Sequence, residues 1–246
     1  MENYFLNRRT CRNFSSQTIP DNVLYNIIKK ATKAPTCGNM QLYSVIITKD
    51  KENLNKLALL HYNQPAAASA PVILTVCADF NRFTQWCNQN KADAGFNNFH
   101  SFIMAMTDAL ILSQQIVTIA EIEGYATCYL GTVNYNASDI SKLLKLPELV
   151  VPVASISIGY AAGQCEETGR LKPEGVIHNE NYQPFNVSDI DNLYEEEEQK
   201  TENQVFIKEN GKDNLAQVFS EIRYPRALNE KISKEFLELL RLKGFL

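Results

Sequence analysis

The sequence predicts an α+β fold with one main domain and a C-terminal extension. Four short apolar segments have the pattern of strands, and the helical segments between them do not follow the regular strand–helix–strand alternation of a dinucleotide-binding fold. No internal repeat is visible. With 246 residues, 45% hydrophobic and 21% charged, the chain can bury a sizeable core as a globular protein.

The first third of the chain alternates between helix and strand patterns. Residues 20–34 have the apolar spacing of an amphipathic helix, which Pro35 ends. The segment from Tyr43 to Thr48 predicts a β-branched strand, and a helix follows near residues 51–60. The segment from Pro71 to Ala78 is almost continuously apolar, which predicts a strand buried on both faces.

The centre of the chain is dominated by one long helical pattern. Residues 96–123 predict a single helix that Gly124 ends in the left-handed conformation. Its apolar side chains fall on nearly every face, which indicates burial deep in a core or in a subunit interface. Polar residues interrupt it more often than a membrane span would usually tolerate.

The second half of the chain supplies the remaining strands. Tyr125 to Leu130 and Val151 to Gly159 have strand patterns, and a short helix capped by Asn136 lies between them. A loop rich in glycine and proline follows, and the chain turns polar from Glu195. A final amphipathic helix is predicted over about 230–243.

Composition excludes several classes of protein. A net charge of −4 gives no electrostatic reason to expect nucleic acid or an anionic membrane as partner. The N-terminus lacks the apolar stretch of a secretory signal. Six cysteines lie far apart, without a C-x-x-C pair and without metal-ligand spacing to the three histidines. The simplest interpretation is free thiols in a soluble, cytoplasmic protein.

The common catalytic signatures are missing from the sequence. There is no G-x-S-x-G, H-E-x-x-H or G-x-G-x-x-G motif, and the segment from Gly163 to Arg170 resembles a phosphate-binding P-loop only loosely. Cys37 has no evident base beside it in sequence, so packing is its simplest role. An enzyme without nucleophile, triad or metal usually takes its chemistry from a cofactor.

One group near the N-terminus could bind an anion. Arg8, Arg9 and Arg12 surround Thr10, and guanidinium forks suit phosphate oxygens while a threonine hydroxyl can add a hydrogen bond. Surface arginines are also common, so a solvated basic patch is the alternative. Local chemistry alone leaves both interpretations open.

Seven segments together resemble the FMN-dependent nitroreductase and flavin reductase family, especially its larger, usually NADPH-linked branch. They occur in the family's order and cover roughly residues 1–190. The segments are Arg8-Arg9-Thr10-Cys11-Arg12-Asn13-Phe14, Ala34-Pro35-Thr36-Cys37-Gly38-Asn39-Met40-Gln41, Ala78-Asp79-Phe80-Asn81-Arg82, Gly124-Tyr125-Ala126-Thr127-Cys128-Tyr129-Leu130-Gly131, Leu143-Leu144-Lys145-Leu146-Pro147, Leu171-Lys172-Pro173-Glu174 and His178-Asn179-Glu180-Asn181-Tyr182-Gln183-Pro184.

The resemblance implies a fold and an assembly. It implies a mixed, mostly antiparallel central sheet flanked by helices, with residues 96–123 as a long buried interface helix. An FMN-binding domain would cover residues 1–190, and residues 191–246 would form an extension packed on the same domain or on the partner subunit. The assembly would be a homodimer with two FMN molecules at the interface, each contacted by both subunits.

The resemblance also implies the residues that hold FMN. Arg8 and Thr10, with Arg9 beside them, would bind the phosphate, and Arg12 would reach the pyrimidine end of the ring. The other expected cofactor contacts are Pro35, Thr36 and Cys37 from the partner subunit with Asn39 lining the same pocket, Gln64 at the ring, Leu130 and Gly131 beside its reactive edge, and Lys172 at the phosphate.

The implied activity is an NADPH- or NADH-dependent two-electron reduction of nitroaromatics, quinones or free flavin by a ping-pong mechanism. Two positions depart from the branch: Glu174 stands where a basic residue is usual, and Arg8 stands where histidine is frequent. Glu174 keeps open the alternative of a flavin-binding protein with little or no turnover. Candidate partners for the NADPH 2′-phosphate, by position alone, are Lys208, Lys212, Arg223 and Arg226.

Overall fold

The computed structural model of the protein describes residues 2–165 and 167–246. Its contacts divide the chain into two compact units. The first comprises Met1–Glu167 and Ile232–Leu246, and the second comprises Thr168–Lys231. The division into domains 1–190 and 191–246 stays a prediction.

A four-stranded sheet forms the centre of the first unit. Its strands are β1 (Tyr43–Thr48), β2 (Val72–Asp79), β3 (Ala126–Tyr129) and β4 (Val150–Gly159), in the order β1-β2-β4-β3. All three described pairings are antiparallel. The two central strands, β2 and β4, are buried at every position, as their continuous apolar sequences require. The predicted α+β class is confirmed.

Helices flank this sheet. In chain order they are α1 (Glu2–Leu6), α2 (Asp21–Ala31), α3 (Lys51–Leu60), α4 (Pro65–Ala68), α5 (Asn81–Gln89), α6 (Phe99–Ile122) and α7 (Ala137–Leu143), with 3₁₀ turns at Cys37–Asn39 and Gly131–Asn134. The predicted helices are present, and α1, α4 and α5 are additional. One detail of the prediction is wrong: the Asn136 side chain does not cap α7, because its amide donates to the carbonyl of Leu60 at 2.6 Å.

The long helix α6 packs one face against β2, β4 and α2. Ten of its residues are buried, among them Asp108. Its length and composition alone would allow it to cross a membrane, but the buried face is that of a core helix. On the other face, the apolar side chains of Phe99, Leu110, Ile111 and Ile122 are exposed in the single chain, so burial of that face in a subunit interface stays a prediction. Gly124, at φ +90°, follows the end of the helix.

The second unit is helical. It contains a 3₁₀ turn at Pro173–Gly175, α8 (Val187–Glu198), α9 (Thr201–Glu209), α10 (Leu215–Gln217) and a π-helical turn at Val218–Arg223. Ile207, Leu215 and Val218 form its small core. The sequence pattern did not predict α8 and α9, because their composition is polar. A capping box at Asn186 begins α8.

The last helix, α11 (Arg226–Leu242), begins four residues earlier than predicted. Its C-terminal part belongs to the first unit, where Leu239, Leu240 and Phe245 join the main core and the Phe245 ring lies 5.5 Å from that of Phe102. The Leu149 amide donates to the carbonyl of Lys243 at 2.9 Å, which fixes the chain end next to β4.

Candidate functional site

The N-terminal arginine segment, residues 8–12, runs beside β3. The Cys11 amide donates to the Thr127 carbonyl at 3.3 Å. Arg8 has two polar partners: its Nε lies 3.2 Å from Oε2 of Glu121 near the end of α6, and its Nη1 lies 3.4 Å from the Thr10 hydroxyl. Arg8 and Thr10 are therefore brought together, and their role at a phosphate stays a prediction.

Glu121 holds the Arg8 side chain in place beside β3, and two hydroxyl groups hold Glu121 in turn. The hydroxyls of Tyr4 (2.7 Å) and Thr127 both donate to its carboxylate, which is only 10% exposed. Burial, followed by the hydrogen bond to Glu121, raises the pKa of Tyr4 to about 12, so Tyr4 stays a donor at neutral pH. Three donors thus hold one carboxylate, and that carboxylate orients Arg8.

Two cavities lie against the arginine segment. The first, of about 270 Å³, is lined by Arg8, Arg9 and Glu121 among others, and the second, of about 230 Å³, is lined by Arg12. Arg9 also pairs with the exposed Glu167 at 3.0 Å. Cavities with guanidinium groups in their walls suit a phosphate or another small anion.

A disulfide between Cys11 and Cys165 separates the two cavities, and both cysteines line both of them. The expectation that all six cysteines are free thiols is therefore wrong for this pair. Wide separation in sequence, here 154 residues, says nothing about distance in the fold, where the two Cα atoms are 4.5 Å apart.

The residues expected at the ring end of a cofactor lie around the C-terminal end of β3. Leu130 is buried and fixed by its amide, which donates to the Ser155 carbonyl at 2.8 Å. Gly131 is exposed, and a Cβ atom there would meet nothing within 4 Å, so a flat ligand could approach its backbone. Gln64 is exposed at the start of α4.

His61 connects these two parts of the ring end. Its Nδ1 lies 2.8 Å from the hydroxyl of Thr132, which joins the turn before Gln64 to the turn after Leu130. His61 is completely buried, and burial lowers its pKa to about 4. The imidazole ring is therefore neutral at pH 7, and its hydrogen bond to Thr132 holds the two turns together.

The loop over residues 35–39 is held from the middle of α6. The carboxylate of buried Asp108 accepts from the amides of Cys37 at 2.8 Å and Leu42 at 3.1 Å. Asn39 and Gln41 adopt positive φ angles of +56° each, a conformation that such a brace can maintain. Burial, together with Asp108, raises the pKa of Cys37, so its thiol is not activated as a nucleophile.

The braced loop and the arginine segment do not meet within one chain. Asp108 and Glu121 are thirteen positions apart on α6, which corresponds to roughly 20 Å along the helix. Pro35, Thr36, Cys37 and Asn39 therefore lie away from the cavity beside Arg8. Lys172 and Glu174 are exposed residues of the second unit.

Three of the four expected NADPH partners, Lys212, Arg223 and Arg226, already have neighbours in the second unit. Lys212 pairs with Glu221 at 2.7 Å, and the Arg223 guanidinium lies over the ring of Phe206 at 4.5 Å. Sequence reasoning missed the residues that position the site: Tyr4, His61, Asp108 and Glu121. Each acts on a partner distant in sequence, and only the polarity of Asp108 and Glu121 within an apolar helix could have signalled them.

An antiparallel sheet covered by a long core helix, with guanidinium-lined cavities beside the sheet edge, defines an α+β protein able to hold an anionic ligand. The sequence profile of the nitroreductase family matches residues 6–160, which is more than half of the chain. The chain belongs to the nitroreductase family, and the resemblance recognised in its motifs is confirmed.

Curated relatives cover most of the chain. An FMN reductase [NAD(P)H] of Bacillus subtilis is 28% identical over 92% of this chain and 93% of its own length. An oxygen-insensitive NADPH nitroreductase of Salmonella typhimurium is 29% identical over 72% of each chain.

Solved structures extend the similarity to the whole chain. A Bacteroides fragilis protein, provisionally described as an oxidoreductase, is 41% identical with a TM-score of 0.97 over 99% of both chains. The NfrA2 protein of Bacillus megaterium is 27% identical with a TM-score of 0.83, over 99% of this chain and 97% of its own.

Proposed function

We propose that the protein is an FMN-dependent oxidoreductase that passes two electrons from NADPH or NADH to nitroaromatics, quinones or free flavin. The proposal is supported by the names of its relatives, FMN reductase and NADPH nitroreductase, and by one observation in this chain. That observation is the oriented Arg8–Thr10 pair beside a cavity of about 270 Å³.

The residues of this chain fit an FMN phosphate. Arg8 and Thr10 offer a guanidinium and a hydroxyl that are already 3.4 Å apart, and Arg9 lines the same cavity. The volume falls below the roughly 300–1,000 Å³ of pockets that enclose a whole small-molecule ligand. The cavity therefore suits the phosphate end of a flavin, and the rest of the cofactor needs further walls.

Other residues would hold the ring and the remainder of the phosphate. Arg12, at the second cavity, would place positive charge near the pyrimidine end, which favours a reduced, anionic flavin. The open backbone at Gly131 and the amide of Gln64 would lie beside the ring, with Leu130 fixing the turn. Lys172 would contribute a further cation at the phosphate.

When bound, FMN would supply the redox chemistry, a transfer of two electrons from the nicotinamide to the acceptor in a ping-pong order. The side chains of this chain bind, orient and stack, and none has to transfer a proton. The raised pKa of Cys37 and the lowered pKa of His61 agree with such non-catalytic roles. We place the enzyme in the cytoplasm.

We further propose a homodimer in which both chains build each FMN site. Two observations support it. The outer face of α6 exposes Leu110 and Ile111 at 42% and 40%, with Phe99 and Ile122 at its two ends, and such apolar faces are typical of protein interfaces. The braced loop over 35–39 is held by Asp108, roughly 20 Å along α6 from the Glu121 that holds Arg8, and it would contact the flavin of the other chain.

Mixed dimers test this arrangement. The variant Arg8→Ala/Arg12→Ala removes donors from one side of the site, and Thr36→Glu places a carboxylate on the other. Each homodimer should be almost inactive. After unfolding and refolding of an equal mixture, half of the dimers are mixed and each has one intact site, so about a quarter of the wild-type sites should return.

Three outcomes separate the possibilities. Recovery of NADPH-dependent quinone reduction in the mixture, but not in either variant refolded alone, supports the shared site. No recovery, although both variants refold and dimerise, contradicts it. Flavin-loaded wild-type protein that does not oxidise NADPH or NADH would favour a flavin-binding protein without turnover.

A further inference from the structure

We propose that the Cys11–Cys165 disulfide is a redox switch that controls how tightly the arginine segment binds a phosphate monoester. The inference rests on the proposed function, since FMN is the ligand of that segment. Cys11 stands between Thr10 and Arg12, and it is only 5% exposed. The bridge therefore lies inside the anion site and not on a remote surface.

The bridge is a covalent connection between the arginine segment and the chain that follows β4, and the exposed Arg9–Glu167 pair at 3.0 Å lies beside it. On its other side, the Cys11 amide donates to Thr127 of β3 at 3.3 Å, which is longer than the usual N–H···O distance. Further along, Phe14 pairs with Ala161, and the Ala162 amide donates to the Asn13 carbonyl at 3.0 Å. The disulfide extends this pairing up to the arginines themselves.

The disulfide forms part of the wall of both cavities. Arg8 and Arg9 line the cavity of about 270 Å³ on one side, and Arg12 lines the cavity of about 230 Å³ on the other. Both cavities include Cys11 and Cys165 in their walls. Opening the bridge would remove the covalent link and leave the exposed Arg9–Glu167 pair at 3.0 Å between these segments, so both cavities would become more mobile together.

A dithiol reductant can reach the bridge and reduce it by thiol–disulfide exchange. Cys165 is partly exposed, so a thiolate of the reductant can form a bond to its sulfur while the bond to Cys11 breaks. Cys11 leaves as a thiolate beside Arg8, Arg9 and Arg12, and positive charge favours a leaving thiolate. The second thiol of the reductant then attacks the mixed disulfide, so that the reductant forms its own disulfide while the bond to Cys165 breaks. The reductant thereby gives up two electrons and two protons, and the two cysteines end as thiols.

A disulfide that can open in this way responds to the redox state of its compartment. In reducing compartments, disulfides are usually transient, catalytic or redox-sensing. When the pair is reduced, the arginine segment samples more conformations and only a fraction of them binds phosphate, so the apparent affinity falls by that fraction. When the pair is oxidised, the disulfide holds the arginine segment in the conformation that binds phosphate.

Titration of apoprotein with FMN, followed by flavin fluorescence, tests the switch. The oxidised protein and the same protein kept in dithiothreitol are compared, after thiol counts under denaturing conditions have verified four free thiols in the first and six in the second. We expect FMN to bind the reduced protein on the order of tenfold more weakly. No substitution is needed for this comparison, so misfolding of a variant cannot confuse it.

Two variants complete the experiment. Cys11→Ser/Cys165→Ser should bind FMN weakly with or without dithiothreitol, while Cys87→Ser, which removes a buried free cysteine in α5, should keep the wild-type response. Six free thiols after oxidation, or equal FMN affinity in both redox states, would overturn the inference alone. Absence of FMN binding in both states would overturn the proposed function itself.

Discussion

Replacement of Arg8 by alanine should weaken FMN binding more than replacement of any exposed arginine. The Arg8 side chain is 23% exposed and is already aligned by Glu121 and Thr10, so little ordering is needed when a phosphate binds. A hydrogen bond to a charged group contributes about 1.5–3 kcal/mol, equivalent to a rise in Kd of roughly 10- to 150-fold. Because Glu121 already neutralises part of the Arg8 charge, we expect a rise in Kd at the lower end of this range, about tenfold.

The assay is FMN titration of apoprotein at low and high salt. Arg8→Lys should lie between wild type and Arg8→Ala, since it keeps the charge but loses the planar fork. Arg241→Ala, at an exposed position near the end of α11, is the matched control and should bind FMN as wild type does. If the Kd of Arg8→Ala stays within twofold of wild type, the phosphate does not lie at this segment and the reasoning is refuted.

Three further predictions concern the residues that position the site. Unfolded His61 takes up a proton near pH 6.5 but the folded residue only near pH 4, so acidification from pH 6.5 to pH 4 should lower the free energy of unfolding by roughly 3 kcal/mol. In urea unfolding at several pH values, the stability of His61→Gln should depend less on pH than that of wild type. The exposed control His100→Gln should keep the wild-type pH dependence. Asp108→Ala should lose about 2–4 kcal/mol in urea unfolding because two loop amides lose their acceptor, and unchanged stability would contradict the brace. Glu174→Arg should bind FMN roughly three- to tenfold more tightly if this position faces the phosphate, and equal affinity would show that it does not.

The strands and the long helix could be predicted because local pattern determines them. β2 and β4 are continuous apolar segments, and α6 has an apolar stripe that must be covered. The polar helices α8 and α9 were missed for the opposite reason: their sequences, rich in glutamate and asparagine, have the composition of loops. Their formation depends on capping and on contacts with the small core around Ile207.

The site could be predicted only where a segment contains its own chemistry. Arg8, Thr10 and Arg12 form such a segment, and its position in the ordered family motifs predicted that it binds FMN. The groups that orient it are remote in sequence: Glu121 is 113 positions from Arg8 and Cys165 is 154 positions from Cys11. Such pairings arise from the order of the strands and not from any local pattern.

The visible absorption spectrum of the purified protein tests the central claim most directly. Expressed with ample riboflavin, the protein should show the flavin bands with one FMN for each chain. Anaerobic NADPH or NADH should bleach those bands, and a quinone or nitroaromatic should restore them. A colourless protein that takes up no added FMN would contradict the account, and a bound flavin that neither nicotinamide bleaches would contradict the proposed turnover.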